Sequence, residues 1–325
     1  MYTKNLIFVC PSVKMYLSVV IPAHNAGQSL ERCVTSVSAA LKAFPREAEI
    51  LVVDDGSTDG TRELAVSLSA RFPQLRVFSQ ANGGVSSARN AGLAQAQGKW
   101  VSFIDDDDTV FEDVFSRLQA SLPAFEDADI LILRSFLEEK ERYAWHPSFR
   151  AKEYYSREQL MQKGYLRGSI CGCLFQRSFL AENALRFPLG IRLSEDTVFF
   201  GACLSKARRT GFLDIPFYRI TPRPGSASRQ RRAEDLEAIL QAVRAAREQI
   251  SDPAVRNYTT FKLLINYTSR AADAGVQARQ AGKALQGILP LSPDGIHTER
   301  WKMALLNGSY PLFYRLIGLR NRMAR

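Results

Sequence analysis

From Tyr16 to Ala23 the chain is a largely apolar run, β-branched at its centre and closed by Pro22. That pattern predicts a strand buried on both faces. Leu30, Cys33, Val34, Val37 and Leu41 then recur at i, i+3, i+4, i+7 and i+11, one face of an amphipathic helix. Glu49–Asp54 reads as a second buried strand, ending in two aspartates and the turn Gly56-Ser57-Thr58-Asp59-Gly60. A helix through Leu64, Leu68 and Phe72 follows, then a strand at Leu75–Phe78, a helix over Val85–Ala96 and a strand at Trp100–Ile104. Phe115, Leu118 and Leu122 mark the next helical face, and Asp129–Arg134 another strand. This alternation predicts βαβ crossovers and a mostly parallel sheet flanked by helices. Such sheets bind ligands beyond the carboxyl ends of their strands. Here those ends carry His24-Asn25, Asp54-Asp55 and Asp105–Asp108, so polar groups gather along one edge.

Beyond Tyr143 the periodicity loosens, and Gly164, Gly168 and Gly172 mark turns. Leu236, Ile239, Leu240, Val243 and Ile250 define a helix, and Asp252-Pro253 is an N-cap and N1 pair for the next. The expected organisation is a loose extension over residues 1–15, an α/β domain over 16–231 and a helical, basic region over 232–325. Met15, just before the first convincing element, is the expected natural start.

The composition narrows the partners. The 325 residues are 46% hydrophobic and 23% charged, which excludes a disordered or collagen-like chain. No apolar run is long enough to span a bilayer. Five sparse cysteines fit a reducing, cytoplasmic compartment better than a disulfide framework. The net charge of +10 is skewed: Ser226–Arg325 holds 16 Lys/Arg against 8 Asp/Glu, and Arg300–Arg325 holds six basic residues and no acidic one. Such a skew points to an anionic partner, either a membrane surface or nucleic acid. From Pro311 onward Leu312, Leu316, Leu319 and Met323 form a helical stripe flanked by Phe313 and Ile317. Arg320 interrupts the apolar side, while Arg315, Arg322 and Arg325 fall largely elsewhere. A basic amphipathic helix of this kind suits an anionic membrane surface.

The candidate chemistry lies in the acidic strand ends. The G-x-G-x-x-G expected of a dinucleotide site is absent after the first strand, where the chain reads Pro22-Ala23-His24-Asn25-Ala26-Gly27. Asp105–Asp108 places four carboxylates side by side, a costly arrangement unless a cation or solvent neutralises them. Carboxylate oxygens at a strand end suit Mg²⁺ or Mn²⁺, which could bridge the phosphates of a nucleotide. Cys171-Gly172-Cys173 has no second pair at zinc spacing and reads as small buried residues; His146 and His297 are isolated.

These segments resemble a family 2 glycosyltransferase. The stretches are Ser18–Asn25, Val53–Thr61, Asn82–Gly92 and Gly98–Asp108, with a looser match through Asn183–Phe187, Ser194–Phe200, Tyr218 and Gly225-Ser226. The resemblance implies a GT-A-type fold with a helical C-terminal extension, a nucleotide-sugar-binding half over 16–125 and an acceptor-binding half over 126–231. It implies that Pro22, Ala23 and His24 line the nucleotide pocket, with Asn25 beside them, and that Asp55, preceded by Asp54, accepts hydrogen bonds from the base. Gly83 and Arg89 would lie near base and phosphates. Asp105 and Asp107 would form the D-x-D metal element, Asp105 and Asp106 would also bind the nucleotide sugar, and Asp106 and Asp108 would otherwise lie behind the element or face solvent. Asp196 would be the general base, taking the acceptor hydroxyl's proton during inverting transfer.

The implied activity is metal-dependent transfer from a nucleotide-diphosphate sugar, with UDP as the expected nucleotide and Mn²⁺ or Mg²⁺ as cofactor. The acceptor would be a hydroxyl of a glycan or lipid-linked glycan in bacterial surface polysaccharide synthesis. The enzyme would then sit at the cytoplasmic face of the cell membrane, either alone or as a homo-oligomer, with no nucleic-acid partner. A nucleotidyltransferase acting on sugar phosphates is the alternative, but Ala23–Leu30 lacks the basic phosphate loop it needs. A catalytically inactive nucleotide-sugar-binding homologue is the other.

Overall fold

A computed structural model describes residues 15–138, 142–144, 153–166, 168–221, 232, 234–296 and 299–323. Residues 1–14, His146, Gly225, Ser226 and His297 lie outside the described residues. The first half alternates as the hydrophobic pattern predicts: β1 (Leu17–Ala23), α1 (Gln28–Leu41), β2 (Ala48–Asp55), α2 (Thr61–Arg71), β3 (Leu75–Gln80), α3 (Val85–Gln95) and β4 (Trp100–Phe103). The short β5 (Thr109–Val110), α4 (Val114–Ser121) and β6 (Ile130–Leu137) follow. The strands β7 (Arg142–Ala144) and β8 (Glu153–Tyr155) then precede α5 (Arg157–Gln162), β9 (Cys173–Gln176), α6 (Arg177–Glu182), α7 (Glu195–Lys206) and β10 (Thr210–Ile220). The rest is helical: α8 (Asp235–Gln249), α9 (Pro253–Asp273), α10 (Ala278–Lys283), α11 (Arg300–Gly308) and α12 (Tyr310–Met323).

The sheet runs β3-β2-β1-β4-β9-β6-β10-β5, with β7 on β6 and β8 on β10. Strands β3, β2, β1 and β4 are parallel, and β10 is parallel to β6. Strand β9 enters antiparallel between β4 and β6, a departure from simple alternation. Only four residues long and preceded by a Gly-rich stretch, it carries no periodic signal of its own. Along β1 the side chains alternate between two cores. Val19 and Ile21 pack with α1, α2 and α4, and Val20 packs toward the face that also takes α6, α7 and the C-terminal helices. The second core is continuous from Val20 and Phe103 to Phe313 and Ile317, so the basic helices share a core with the sheet.

The parallel register pairs Ala23 with Asp54 and Asp55 with Gln80, so the polar ends of β1, β2 and β3 come level. Helix α7 carries the later acidic pair at its start. Gly201 on α7 allows the close approach that holds it there, since a Cβ would lie 2.7 Å from Thr259 Oγ1 of α9 and 2.8 Å from Ile250 Cδ1.

Candidate active site

A cavity of about 600 Å³ opens at the carboxyl edge of the sheet, lined by Pro22, Ala23 and His24 after β1, Asp55 after β2 and Arg89 on α3. Asp105–Asp108 form another wall, and Arg192–Asp196 with Tyr218 and Thr221 close the far side. Of the residues named from sequence, Pro22, Ala23, His24, Asp55, Arg89, Asp105, Asp106, Asp107 and Asp196 therefore face one space. Asn25, Asp54 and Gly83 do not line it.

Those three shape the wall from behind. Asp54 is buried, and its Oδ1 accepts the Ser57 N–H at 3.1 Å, an Asx-type closure of the turn after β2. Asn25 adopts a left-handed φ of 49°, and its Oδ1 accepts the Thr58 N–H at 2.9 Å, tying the β1 and β2 loops together. Gly83 N–H donates to Asp55 Oδ1 at 2.9 Å and Gly84 N–H to Oδ2 at 2.8 Å, with Gln80 Nε2 adding 2.7 Å to Oδ1. The Asp55 carboxylate is thus fixed by three donors within 29 residues of it. Gly56 makes this approach feasible: its φ is +70°, and a Cβ there would stand 2.7 Å from Asn82 N. His24 Nδ1–H donates to the Asp55 carbonyl at 2.8 Å, which leaves Nε2 to accept from Asn25 Nδ2 at 3.2 Å.

The other wall is held over long range. Arg89 is 3% exposed and sits over the Phe187 ring. Its Nη1 donates to Glu195 Oε1 at 2.9 Å and Asp196 Oδ1 at 2.7 Å, while Nη2 donates to Asp105 Oδ1 at 2.8 Å. One guanidinium therefore joins the start of the D-x-D element to the acidic pair of α7. Neighbouring Asn90 clamps the Phe187 backbone with two 2.9 Å bonds, one from its Nδ2 and one to its Oδ1.

Burial works against the Arg89 charge, but Asp196, Asp105 and Glu195 outweigh it and hold the group well above its ordinary range. For Asp196 the order reverses. Burial raises its carboxyl, Arg89 opposes, and Glu195 and Asp105 push it up again. Three carboxylates share one cation, so the upward direction follows from the geometry. The second Asp196 oxygen accepts the Ile170 N–H at 3.3 Å.

Asp108, expected behind the D-x-D element or in solvent, is buried. It accepts from the Tyr218 hydroxyl and, at 2.7 Å, from Thr221 N–H. Burial outweighs both bonds and pushes its carboxyl up to about 7. Cys171 is buried 3.5 Å from Asp105 Oδ2, and burial raises its thiol, so it serves as a neutral filler.

Sequence reasoning missed Arg192. It lines the cavity and donates to Asp235 of α8, a carboxylate only 1% exposed that also takes Arg270 Nη1 of α9 at 2.8 Å. Asn266 of α9 bonds Ser194 Oγ at 3.3 Å, and Ser194, at a left-handed φ of 70°, begins α7. An acidic residue immediately ahead of the α8 apolar face was the available signal.

The cavity carries seven carboxylates (Asp55, Asp105–Asp108, Glu195 and Asp196) against two guanidiniums, Arg89 and Arg192. Among the described residues no three His, Cys, Asp or Glu side chains group to hold a metal ion unaided. The donor set still fits Mg²⁺ or Mn²⁺, which commonly bind one or two carboxylates and complete their shell with water and substrate phosphates.

Comparison with known proteins agrees with this architecture. The S. aureus TarS 1–349 structure with UDP-GlcNAc aligns at a TM-score of 0.63 and 19% identity, over 96% of this chain and 93% of that one. The mannosyltransferase PcManGT from Pyrobaculum calidifontis, with GDP-Man and Mn²⁺, aligns at 0.55 and 15%, over 96% and 88%. The shared GT-A fold is what these establish. In sequence, the uncharacterized glycosyltransferase EpsJ of Bacillus subtilis is 30% identical over 217 residues, covering 65% of this chain and 62% of that protein's length. Residues 18–184, just over half the chain, include Pro22–His24, Asp55, Arg89 and Asp105–Asp108 of the cavity but none of its far side from Arg192 on; they match glycosyl transferase family 2, and the chain belongs to that family.

Proposed function

We propose that the protein is a metal-dependent, inverting glycosyltransferase that moves a sugar from a nucleotide-diphosphate donor to a hydroxyl acceptor. The observation that carries this is the acidic lining of the cavity, seven carboxyl groups facing two guanidiniums. A diphosphate enters such a space only with a cation, and the Asp105–Asp107 pair offers the hard oxygens one needs. A bound Mg²⁺ or Mn²⁺ would offset the negative charge of the departing diphosphate. The nucleotide would lie along Pro22, Ala23, His24 and Asp55, in the half spanning residues 16–125, and the acceptor against residues 126–231.

Asp196 is the base. Its carboxylate takes the acceptor proton as the acceptor oxygen bonds to the anomeric carbon. The bond from that carbon to the diphosphate oxygen breaks, and the nucleoside diphosphate leaves with the electron pair. A single displacement inverts the anomeric centre. Burial, with Glu195 and Asp105, raises the Asp196 carboxyl in spite of Arg89, which makes it a stronger base once ionised, and Arg89 orients it.

UDP is the expected nucleotide, in keeping with the UDP-GlcNAc held by TarS. A lipid-linked or growing glycan of a bacterial surface polysaccharide is the expected acceptor, which would place the enzyme at the inner membrane face. Among the described residues no helix is long and apolar enough to cross a membrane. Thermal stabilisation by UDP, GDP, dTDP and CMP, with and without Mn²⁺, tests the donor assignment. A metal-dependent shift with UDP that is lost in Asp107→Ala is the expected result. No shift with any nucleotide would overturn it.

A further inference from the structure

Five of the seven large apolar side chains exposed among the described residues lie in the last helices: Trp301, Leu312, Leu316, Leu319 and Met323. Helix α12 has two faces. Tyr310, Phe313 and Ile317 are buried against the fold, so Phe313 and Ile317 do not extend the outer stripe as the sequence suggested. Leu312, Leu316, Leu319 and Met323, spaced at i, i+4, i+7 and i+11, point away from that contact. Arg315 and Arg322 project along one side of this stripe and Arg320 along the other, and all three are exposed. The sequence from Arg300 to the end contains no acidic residue.

We propose that the outer face of α12 lies on an anionic lipid surface, its leucine and methionine side chains entering the acyl boundary and its arginines meeting the headgroups. The charge decides between occupants. A second copy of this face would bring arginines against arginines, whereas anionic headgroups complement them.

The link from this helix to the cavity wall deepens the functional reading, and rests on it for the nature of the acceptor. Asn321 Nδ2 of α12 donates to Ser269 Oγ at 2.9 Å, next to Arg270, which pairs with Asp235; Asp235 holds Arg192 at the cavity wall. The last turn of α12 is thus linked to the cavity wall through Asn321 and Ser269, the adjacent Arg270, then Asp235 and Arg192. A protein seated by α12 meets an acceptor carried on the same lipid surface.

The full chain is floated with vesicles of phosphatidylcholine containing one quarter phosphatidylglycerol, and with phosphatidylcholine alone. About tenfold higher recovery on the anionic vesicles is expected, falling as salt rises. A triple Leu312→Ser, Leu319→Ser, Met323→Ser variant and a triple Arg315→Gln, Arg320→Gln, Arg322→Gln variant should each lose most of it. Equal flotation of the serine variant, or none by the parent chain, overturns the proposal. So does a parent dimer, seen by sedimentation, that the serine variant dissolves without any vesicle binding. Stabilisation by UDP with Mn²⁺ is read in parallel on every variant. Its absence alongside intact flotation contradicts the donor assignment and leaves the lipid surface standing.

Discussion

The two walls of the cavity hold their carboxylates in opposite ways. On the proposed donor wall, Asp54 and Asp55 are fixed by backbone amides and one side chain within 29 residues of themselves. On the proposed acceptor wall, Glu195 and Asp196 depend on Arg89, more than 100 residues earlier. The segment leading to them is steadied by Asp235 and Asn266, from helices that follow. Local turns fix a site cheaply and show in sequence as short motifs. A buried ion network is exacting, because removing one member leaves the others charged and unpaired.

The largest effect should come from Arg89→Met, which leaves Asp105, Glu195 and Asp196 facing one another in a buried space. A loss of about 3–5 kcal/mol in urea unfolding is expected. A loss under about 1 kcal/mol would mean the acceptor wall is as locally held as the donor wall.

The difference between the walls also explains what the sequence revealed. The strands β1 to β4 and their helices were readable because each packs its own apolar period against the sheet, and the motifs at their ends sit on tight turns. The sequence leaves open whether Asp108 lies behind the D-x-D element or in solvent, because its burial depends on Tyr218 and Thr221, distant in sequence and brought over by β10. Arg192 went unnoticed because nothing local marks it; its partner lies 43 residues on. Strand β9 escaped for a related reason, being too short to show a period.

Asp235→Asn tests the long-range half of the comparison. Weakened pairing to Arg192 and Arg270 should lower kcat about tenfold through misplacement of the acceptor wall. UDP affinity, set on the other wall, should stay within about twofold. An unchanged kcat would separate the C-terminal helices from the chemistry.

Asp55→Asn tests the local half. It should weaken UDP binding about tenfold and cost about 1–2 kcal/mol of stability, since Gly83 and Gly84 N–H lose a charged acceptor. The kcat at saturating donor should hardly move. A large fall in kcat with donor affinity intact would reverse the assignment of the two walls.

A further effect is in pH. Asp108 keeps its proton up to about 7 in the fold, whereas an unfolded aspartate releases it near 3.9. Between those values the native state binds more protons, so without divalent ions this group makes stability fall as pH rises from about 4 to 7. Asp108→Asn should flatten that slope in a series of urea titrations. An unchanged slope would contradict a buried, protonated Asp108.

The most direct test of the central claim compares the parent chain with Asp196→Asn in two readouts: UDP affinity with Mn²⁺ by calorimetry, and UDP release from a panel of nucleotide-hexoses. Affinity unchanged within about threefold and release slowed at least about hundredfold are expected, because the base acts only in the chemical step. Release at the parent rate, or loss of both together, would contradict the claim.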